Sequence, residues 1–416
     1  MQEQYNHCTL SCGMPLLHIM SPTQVAYCGM AIDAGTRDEK RGEYGIAHLC
    51  EHMLFKGTTH RRSHHIINRM ERVGGDLNAY TTKEETMVYA AFMRQHLARA
   101  AELIADIVFN STYPQRELEK EVEVVVEEIE SYNDNPAELI YDDFENIVFH
   151  GHPLGHNILG KPNQIRRYTS DHLHNFTSRL YHPRNIVFFV YGNYDFDWVR
   201  KTVEKAIGNL PQPLQSREER TRMDGLFTPP LEGQGTVLRH RSTHQTHVLV
   251  GCPAYPPGDR RRVALYLLNN IIGGPGMNSL LNIALREKNG LVYTVESTLT
   301  NYTDTALFAI YFGCDHDQTS RCLDIVRQQL DQLIDRPLTP RQFNAAMQQI
   351  EGQIGVSSDN FENYALDMAK CYLHYNRYEG INETLRQLAS LTPADLQQVA
   401  SELFPPERLT TLVYTH

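Results

Sequence analysis

The sequence predicts an α+β protein with two homologous domains, each a mainly antiparallel sheet packed with helices. Short stretches with strand patterns alternate with longer stretches of helical periodicity. The order of these elements recurs in the second half of the chain, at an offset of about 220 residues. A proline-rich segment of little periodicity separates the halves. The length of 416 residues agrees, since domains usually have about 100–200 residues.

The first half shows the full set of elements. Gly74-Gly75 marks a turn before a hairpin, and Pro114 suits the first turn of a helix. We predict strands at 14–20, 25–34, 76–82, 86–92 and 186–191, and helices at 44–55, 64–73, 95–109 and 114–132.

The second half repeats part of this order. Strands at 246–252 and 306–312 correspond to 25–34 and 86–92, and a helix at 319–333 corresponds to one at 97–109. The proline-rich segment 210–235 contains Pro211, Pro213, Pro229 and Pro230. We therefore predict domains at 1–209 and 236–416, joined by a linker at 210–235.

Composition narrows the functional class. Hydrophobic residues make up 41% and charged residues 21%, as in ordinary globular proteins, and the net charge of -11 argues against nucleic-acid binding. No apolar run approaches the roughly 18–20 residues of a membrane span, and the N-terminus lacks a signal-peptide pattern. The eight cysteines show no paired CxxC spacing. We expect a cytoplasmic protein with free thiols.

The chemistry is concentrated in His48-Leu49-Cys50-Glu51-His52, within a predicted helix. At about 100° per residue, His48, Glu51 and His52 share one face. Two imidazoles one turn apart can chelate one zinc ion, and Glu51 can then take a proton from zinc-bound water. The order is H-x-x-E-H, the reverse of the commoner H-E-x-x-H motif. A surface helix with the same residues is the alternative interpretation.

A catalytic zinc usually has three protein ligands and a water. The predicted helix at 114–132 is rich in candidates for the third, and spacing alone does not choose among them. Glu121 and Glu128 are two turns apart on one face, so one could bind the metal while the other supports it. The acidic residues of this helix are Glu117, Glu119, Glu121, Glu123, Glu127, Glu128 and Glu130.

Residues 45–58, Gly-Ile-Ala-His-Leu-Cys-Glu-His-Met-Leu-Phe-Lys-Gly-Thr, closely resemble the inverzincin family of pitrilysin, insulysin and the mitochondrial processing peptidase. The family's third zinc ligand lies about seventy-six residues past the second histidine, the position of Glu128 here. A supporting glutamate seven residues earlier corresponds to Glu121. The resemblance implies one Zn²⁺ per chain, held by His48, His52 and Glu128.

Further segments match in the same order. Residues 74–81, which include Asn78 and Ala79, resemble the family's edge strand that pairs with substrate backbone. Residues 285–293 resemble its paired Arg/Tyr element, which implies that Arg286 and Tyr293 contact the substrate carbonyl. Leu280 stands where relatives usually have arginine, which puts substrate steering there in doubt. Cys50 is interpreted as a small buried residue.

The resemblance implies a metalloendopeptidase acting on oligopeptides or on unfolded or precursor polypeptides. Longer relatives have four such domains enclosing a chamber, so we expect this two-domain chain to form a homodimer. Each zinc site would then face Arg286 and Tyr293 of the other subunit. A heterodimer with an inactive relative is the alternative partnership, and a non-catalytic peptide-binding or structural subunit is the alternative function.

Overall fold

A computed structural model of the protein describes residues 5–208, 210, 233–378 and 380–415. The predicted linker at 210–235 therefore lies mostly outside the described residues, and the domain boundaries drawn from it stay a prediction. No helix among the described residues is long and apolar enough to cross a membrane.

The first unit contains residues 1–131, 156–225 and 360–380 as far as they are described. Its sheet has the strand order β1-β2-β6-β3-β5-β4, and only the β2–β6 pair is parallel. The strands are β1 (Tyr5–Thr9), β2 (Pro15–Ile19), β3 (Val25–Ile32), β4 (Asp76–Thr81), β5 (Thr86–Met93) and β6 (Ile186–Tyr191). The helices are α1 (Ile46–Met53), α2 (Ser63–Glu71), α3 (Leu97–Phe109), α4 (Gln115–Asn133), α6 (Pro162–Ile165), α7 (Ser170–Leu180), α8 (Phe196–Ile207) and α12 (Phe361–Tyr375).

The second unit contains residues 132–155, 226–359 and 381–416 as far as they are described. Its sheet has the order β7-β11-β8-β10-β9, and only the β7–β11 pair is parallel. The strands are β7 (Gly235–His240), β8 (Thr246–Ala254), β9 (Val292–Asn301), β10 (Ala306–Cys314) and β11 (Thr410–Thr415). The helices are α5 (Pro136–Val148), α9 (Arg261–Gly273), α10 (Thr319–Asp335), α11 (Pro340–Ser357), α13 (Gly380–Ala389) and α14 (Pro393–Leu403), with a π-helical turn at Asn282–Glu287.

The two sheets confirm the predicted α+β class and the predicted internal repeat. The order β2-β6-β3-β5-β4 of the first unit corresponds strand by strand to β7-β11-β8-β10-β9 of the second. The hairpin β4–β5 has its counterpart in β9–β10, and each hairpin places its first strand at the edge of its sheet. The N-terminal strand β1 was not predicted.

Each sheet is covered on one face by a helix from the other half of the chain. Alternate strand residues point to opposite faces of a sheet. Leu17 and Phe189 therefore lie on the face opposite the main core of the first unit, where they pack with Met368 of α12. In the second unit, Leu249 and Leu412 pack in the same way with α5. The predicted bounds 1–209 and 236–416 follow the linker alone, so they do not separate α5 and α12 from the halves of the chain in which they lie.

Candidate metal centre

The short helix α1 presents the three residues of the H-x-x-E-H motif. It begins after Gly45, whose φ of +87° lies in the left-handed region that favours glycine. The imidazole rings of His48 and His52 are 4.5 Å apart between centroids. The one-turn spacing predicted from the sequence therefore brings two nitrogen donors to the same side of the helix.

Glu128 brings the third donor from α4. Its Oε1 lies 3.7 Å from Nε2 of His48, and its Oε2 lies 3.4 Å from Nε2 of His52. With metal–donor distances of about 2.0–2.2 Å, tetrahedral zinc places its ligand atoms roughly 3.3–3.6 Å apart, close to the two observed distances. Among the described residues, His48, His52 and Glu128 are the set whose donor atoms converge in this way. The residues present fit a zinc ion.

Glu121 contacts the ring nitrogen of His52 that does not face Glu128. Its Oε1 accepts a hydrogen bond from Nδ1 of His52 at 3.0 Å, and its Oε2 accepts one from Nζ of Lys56 at 2.6 Å. A carboxylate only accepts, so Glu121 holds a proton on Nδ1 of His52, and Nε2 is the nitrogen that would bind a metal. The arrangement fixes both the tautomer and the ring orientation that a metal ligand needs.

The electrostatics favour a cation between the three donors. Burial, aided by the neighbouring His52, lowers the pKa of His48 to about 4, so its imidazole is neutral at pH 7. Burial also opposes protonation of His52, but hydrogen bonds to Glu121 and Glu128 outweigh it and raise the pKa of His52 to about 9. The carboxylates that attract a proton to this place attract a divalent cation for the same reason.

Glu51 lies beside the ligands and is held by a strand. Its Oε2 accepts a hydrogen bond from Oγ1 of Thr81 at 2.8 Å. Burial raises the pKa of Glu51 above its ordinary value, although the hydrogen bond from Thr81 opposes the rise. A carboxylate with raised proton affinity that is not itself among the converging donors is suited to accept a proton during catalysis.

Asn78 and Ala79 lie on β4, the same strand as Thr81. They are opposite Tyr89 and Val88 of β5, and among the strands of the described residues β4 pairs with β5 alone. Because Thr81 reaches Glu51, this open edge runs beside the metal helix. Its unpaired backbone groups are available to an extended peptide.

Arg286 and Tyr293 lie together in the second unit. Arg286 is in the π-helical turn, Tyr293 is in β9, and the guanidinium carbon is 5.7 Å from the tyrosine ring centroid. Tyr293 is 81% exposed, so its hydroxyl is accessible. Both residues line a cavity of about 490 Å³ in that unit, together with the glycine-rich segment at 273–276.

Leu280 and Cys50, both singled out in the sequence, lie in or against a hydrophobic core. Leu280 packs against the core of the second unit. Cys50 is fully buried, and burial raises the pKa of its thiol well above the usual range.

Sequence reasoning missed two residues of the site. Lys56 lies one turn beyond His52, so the same spacing argument that linked His48 to His52 could have found it. Thr81 left no such signal, because only the folded hairpin brings β4 to α1.

Two family models match the chain. One, described as Insulinase (Peptidase family M16), matches residues 16–162. The other, described as Peptidase M16 inactive domain, matches residues 167–350. Proteins described as uncharacterized zinc proteases are similar over most of the chain: one from Streptomyces coelicolor is 31% identical over 90% of this chain and 82% of its own length.

The chain belongs to peptidase family M16. A zinc protease relative from Bacillus subtilis is 30% identical over 92% of both chains, and one from Rickettsia bellii is 29% identical over 99% of this chain and 98% of its own. The crystal structure of a protease from Helicobacter pylori has the same fold, with a TM-score of 0.92, 23% identity and full coverage of both chains. The three converging donors all lie within residues 16–162, the segment matched by the Insulinase model. They lie outside the segment matched by the inactive-domain model.

Proposed function

We propose that this M16 protein is a zinc metalloendopeptidase that hydrolyses peptide bonds of oligopeptides or of unfolded or precursor polypeptides. The observation that carries the proposal is the convergence of three donors from two helices, with an unligated carboxylate beside them. His48, His52 and Glu128 hold the metal, one ion per chain. When bound, zinc polarises a carbonyl and lowers the pKa of water from about 15.7 towards 7.

Glu51 acts as the general base. It accepts the proton of the attacking water and then passes it to the leaving amine. Thr81 holds Oε2 of Glu51, which leaves Oε1 to take the proton. Glu121, hydrogen-bonded to Nδ1 of His52, would keep Nε2 of that ring free to hold the metal.

The substrate is bound as an added strand. The free edge of β4 at Asn78 and Ala79 pairs with an extended peptide through backbone hydrogen bonds, which tolerate many sequences. The exposed hydroxyl of Tyr293 and the guanidinium of Arg286 donate to the carbonyl oxygen as charge develops on it. Folded proteins cannot supply a free extended segment, so the proposed substrates are short or unfolded.

We further propose a homodimer in which Arg286 and Tyr293 of one subunit complete the metal site of the other. The metal donors lie in the half matched by the Insulinase model, and Arg286 and Tyr293 lie in the half matched by the inactive-domain model, which agrees with a site completed from two different domains. The cytoplasm is the proposed compartment, since the cysteines of the described residues are free thiols.

Peptide cleavage with metal analysis tests the function. We expect a peptide library to be cleaved by the purified protein, with about one zinc per chain, and cleavage to stop with a chelator. Glu51→Gln should retain the metal and lose cleavage by several orders of magnitude, while Glu127→Gln, on the exposed side of α4, should behave as wild type. A zinc-loaded protein that cleaves nothing would indicate the alternative, a non-catalytic peptide-binding subunit.

A further inference from the structure

The metal helix lacks a capping side chain of its own and receives one from Glu39. The residue before α1 is Gly45, which has no side chain to accept hydrogen bonds from the free N–H groups of the first turn. Oε2 of Glu39 accepts the N–H of Gly45 at 3.0 Å, and Oε1 accepts that of Ala47 at 2.9 Å. The side chain of Glu39 is 0% exposed. A buried carboxylate thus fixes the backbone one residue before His48.

A second histidine supports this carboxylate. Nε2 of His156 lies 3.0 Å from Oε2 of Glu39, and its ring stacks on Tyr44 with centroids 4.2 Å apart. The loop that follows lies directly against the start of α1, because a Cβ on Gly160 would come within 2.8 Å of Cα of Gly45. Glu39 therefore has three donors around it and little freedom to move.

The two histidine ligands are held differently. The ring of His52 is fixed by its hydrogen bond to Glu121. Nδ1 of His48 is buried, and no hydrogen-bond partner reaches it among the described residues. Since no described side chain hydrogen-bonds Nδ1 of His48 as Glu121 does for His52, the placement of the His48 ring depends on the backbone of α1, whose first turn is held by Glu39.

We propose that Glu39, supported by His156, is a positioning residue that places His48 for metal binding. The inference rests on the metal site of the proposed function. Glu39 does not touch the metal or the substrate; it acts through the first turn of α1. Glu39 and His156 thus support His48 through the helix backbone, whereas Glu121 and Lys56 support His52 at its ring.

Metal binding by Glu39→Gln tests the role, with Glu43→Gln as the matched control. Glutamine keeps the volume but replaces one acceptor oxygen with an amide donor, so one N–H of the first turn loses its partner. Glu43 is a nearby half-buried glutamate whose carboxylate pairs with Arg179 and does not contact the amides of α1. Zn²⁺ affinity is measured by chelator competition, and ligand geometry by the visible spectrum of the Co²⁺-loaded protein.

We expect Glu39→Gln to remain folded by circular dichroism, to bind Zn²⁺ about 10–100-fold more weakly than wild type, and to show a changed Co²⁺ spectrum. In the metal-free protein, the amides of the first turn of α1 should exchange about 10-fold faster. The Glu43→Gln variant should match wild type in all three measurements. Folded Glu39→Gln with the affinity and spectrum of the control would overturn the proposal.

The second variant, His156→Gln, decides the question if Glu39→Gln does not fold. It leaves both amide acceptors in place and disturbs only their support, so a smaller loss in the same direction is expected. If His156→Gln also binds Zn²⁺ and Co²⁺ as wild type does, the proposal is wrong. Wild-type protein that binds no metal would instead overturn the proposed function, which separates the two failures.

Discussion

Oε1 of Glu121 lies 3.0 Å from Nδ1 of His52, so a carboxylate on one helix orients a metal donor on another. Glu121→Gln should weaken Zn²⁺ binding about 10–100-fold, because an amide cannot serve both His52 and Lys56 as an anionic acceptor. Chelator competition measures the change. Glu119→Gln, exposed on the same helix, is the control. Equal affinities in the two variants would contradict the assigned role of Glu121.

Removing the hydroxyl of Thr81 should lower the rate of catalysis without changing metal binding. Thr81→Val removes the donor to Glu51, and hydrogen bonds to charged groups are worth about 1.5–3 kcal/mol, so kcat should fall about 10–100-fold. Thr81→Ser keeps the hydroxyl and should retain most of the activity. Metal content should be unchanged in both. A loss of zinc in Thr81→Val would show that β4 supports the ligands and not the base.

The proposed homodimer predicts complementation between two inactive variants. Glu51→Gln lacks the base, and Tyr293→Phe lacks a donor to the carbonyl oxygen. After random mixing, half of the dimers contain both variants, and each of these has one intact site if the residues act across the interface. Activity should then recover to about a quarter of wild type. Mixed dimers without recovered activity would exclude the trans arrangement.

A buried charge cluster of the first unit predicts a pH effect on stability. The carboxylate of Glu85, 1% exposed, accepts hydrogen bonds from Lys370 at 2.7 Å and His374 at 3.0 Å. Burial alone would raise its pKa, but the hydrogen bond from His374 and the charge of Lys370 outweigh it and lower the pKa to about 2 from an ordinary 4.5. The stabilising contribution is therefore fully present above about pH 4.5 and is lost as the pH falls towards 2.

Glu85→Gln tests this contribution. At pH 7 the variant should lose about 3 kcal/mol of unfolding free energy, since Lys370 and His374 both lose the carboxylate to which they donate. Denaturant unfolding from pH 7 to pH 2 measures the difference from wild type. The difference should shrink below pH 4.5, whereas a constant difference would mean that packing and not charge explains the loss.

Only some residues of the site can be predicted from the sequence, because some contacts join residues one helical turn apart and others join residues far apart along the chain. His48, Glu51 and His52 followed from helical spacing alone. Glu128 did not, because α4 carries several acidic residues and only the packing of α4 against α1 selects the one that faces both histidines. The resemblance to a known family supplied that choice.

The fold shows the same contrast. The hairpin at 76–92 and the helices at 44–55, 64–73, 95–109, 114–132 and 319–333 are local features that the sequence predicts. The destinations of α5 and α12 are not local, since each helix crosses to the sheet of the other half, and an apolar stripe does not identify its partner. The role of Glu39 is not predictable from the sequence for a related reason. Its carboxylate accepts hydrogen bonds from backbone N–H groups six and eight residues away, at the start of a helix to which it does not belong.

The crossing of α5 and α12 has a consequence for how this polypeptide can be divided. Each folded body is assembled from both halves of the chain, so cleavage of the chain between residues 208 and 233 would leave two fragments that still share two hydrophobic cores. Neither fragment could dissociate without removing the helix that covers one face of a sheet. The two halves of the sequence therefore repeat one fold without being two separable modules.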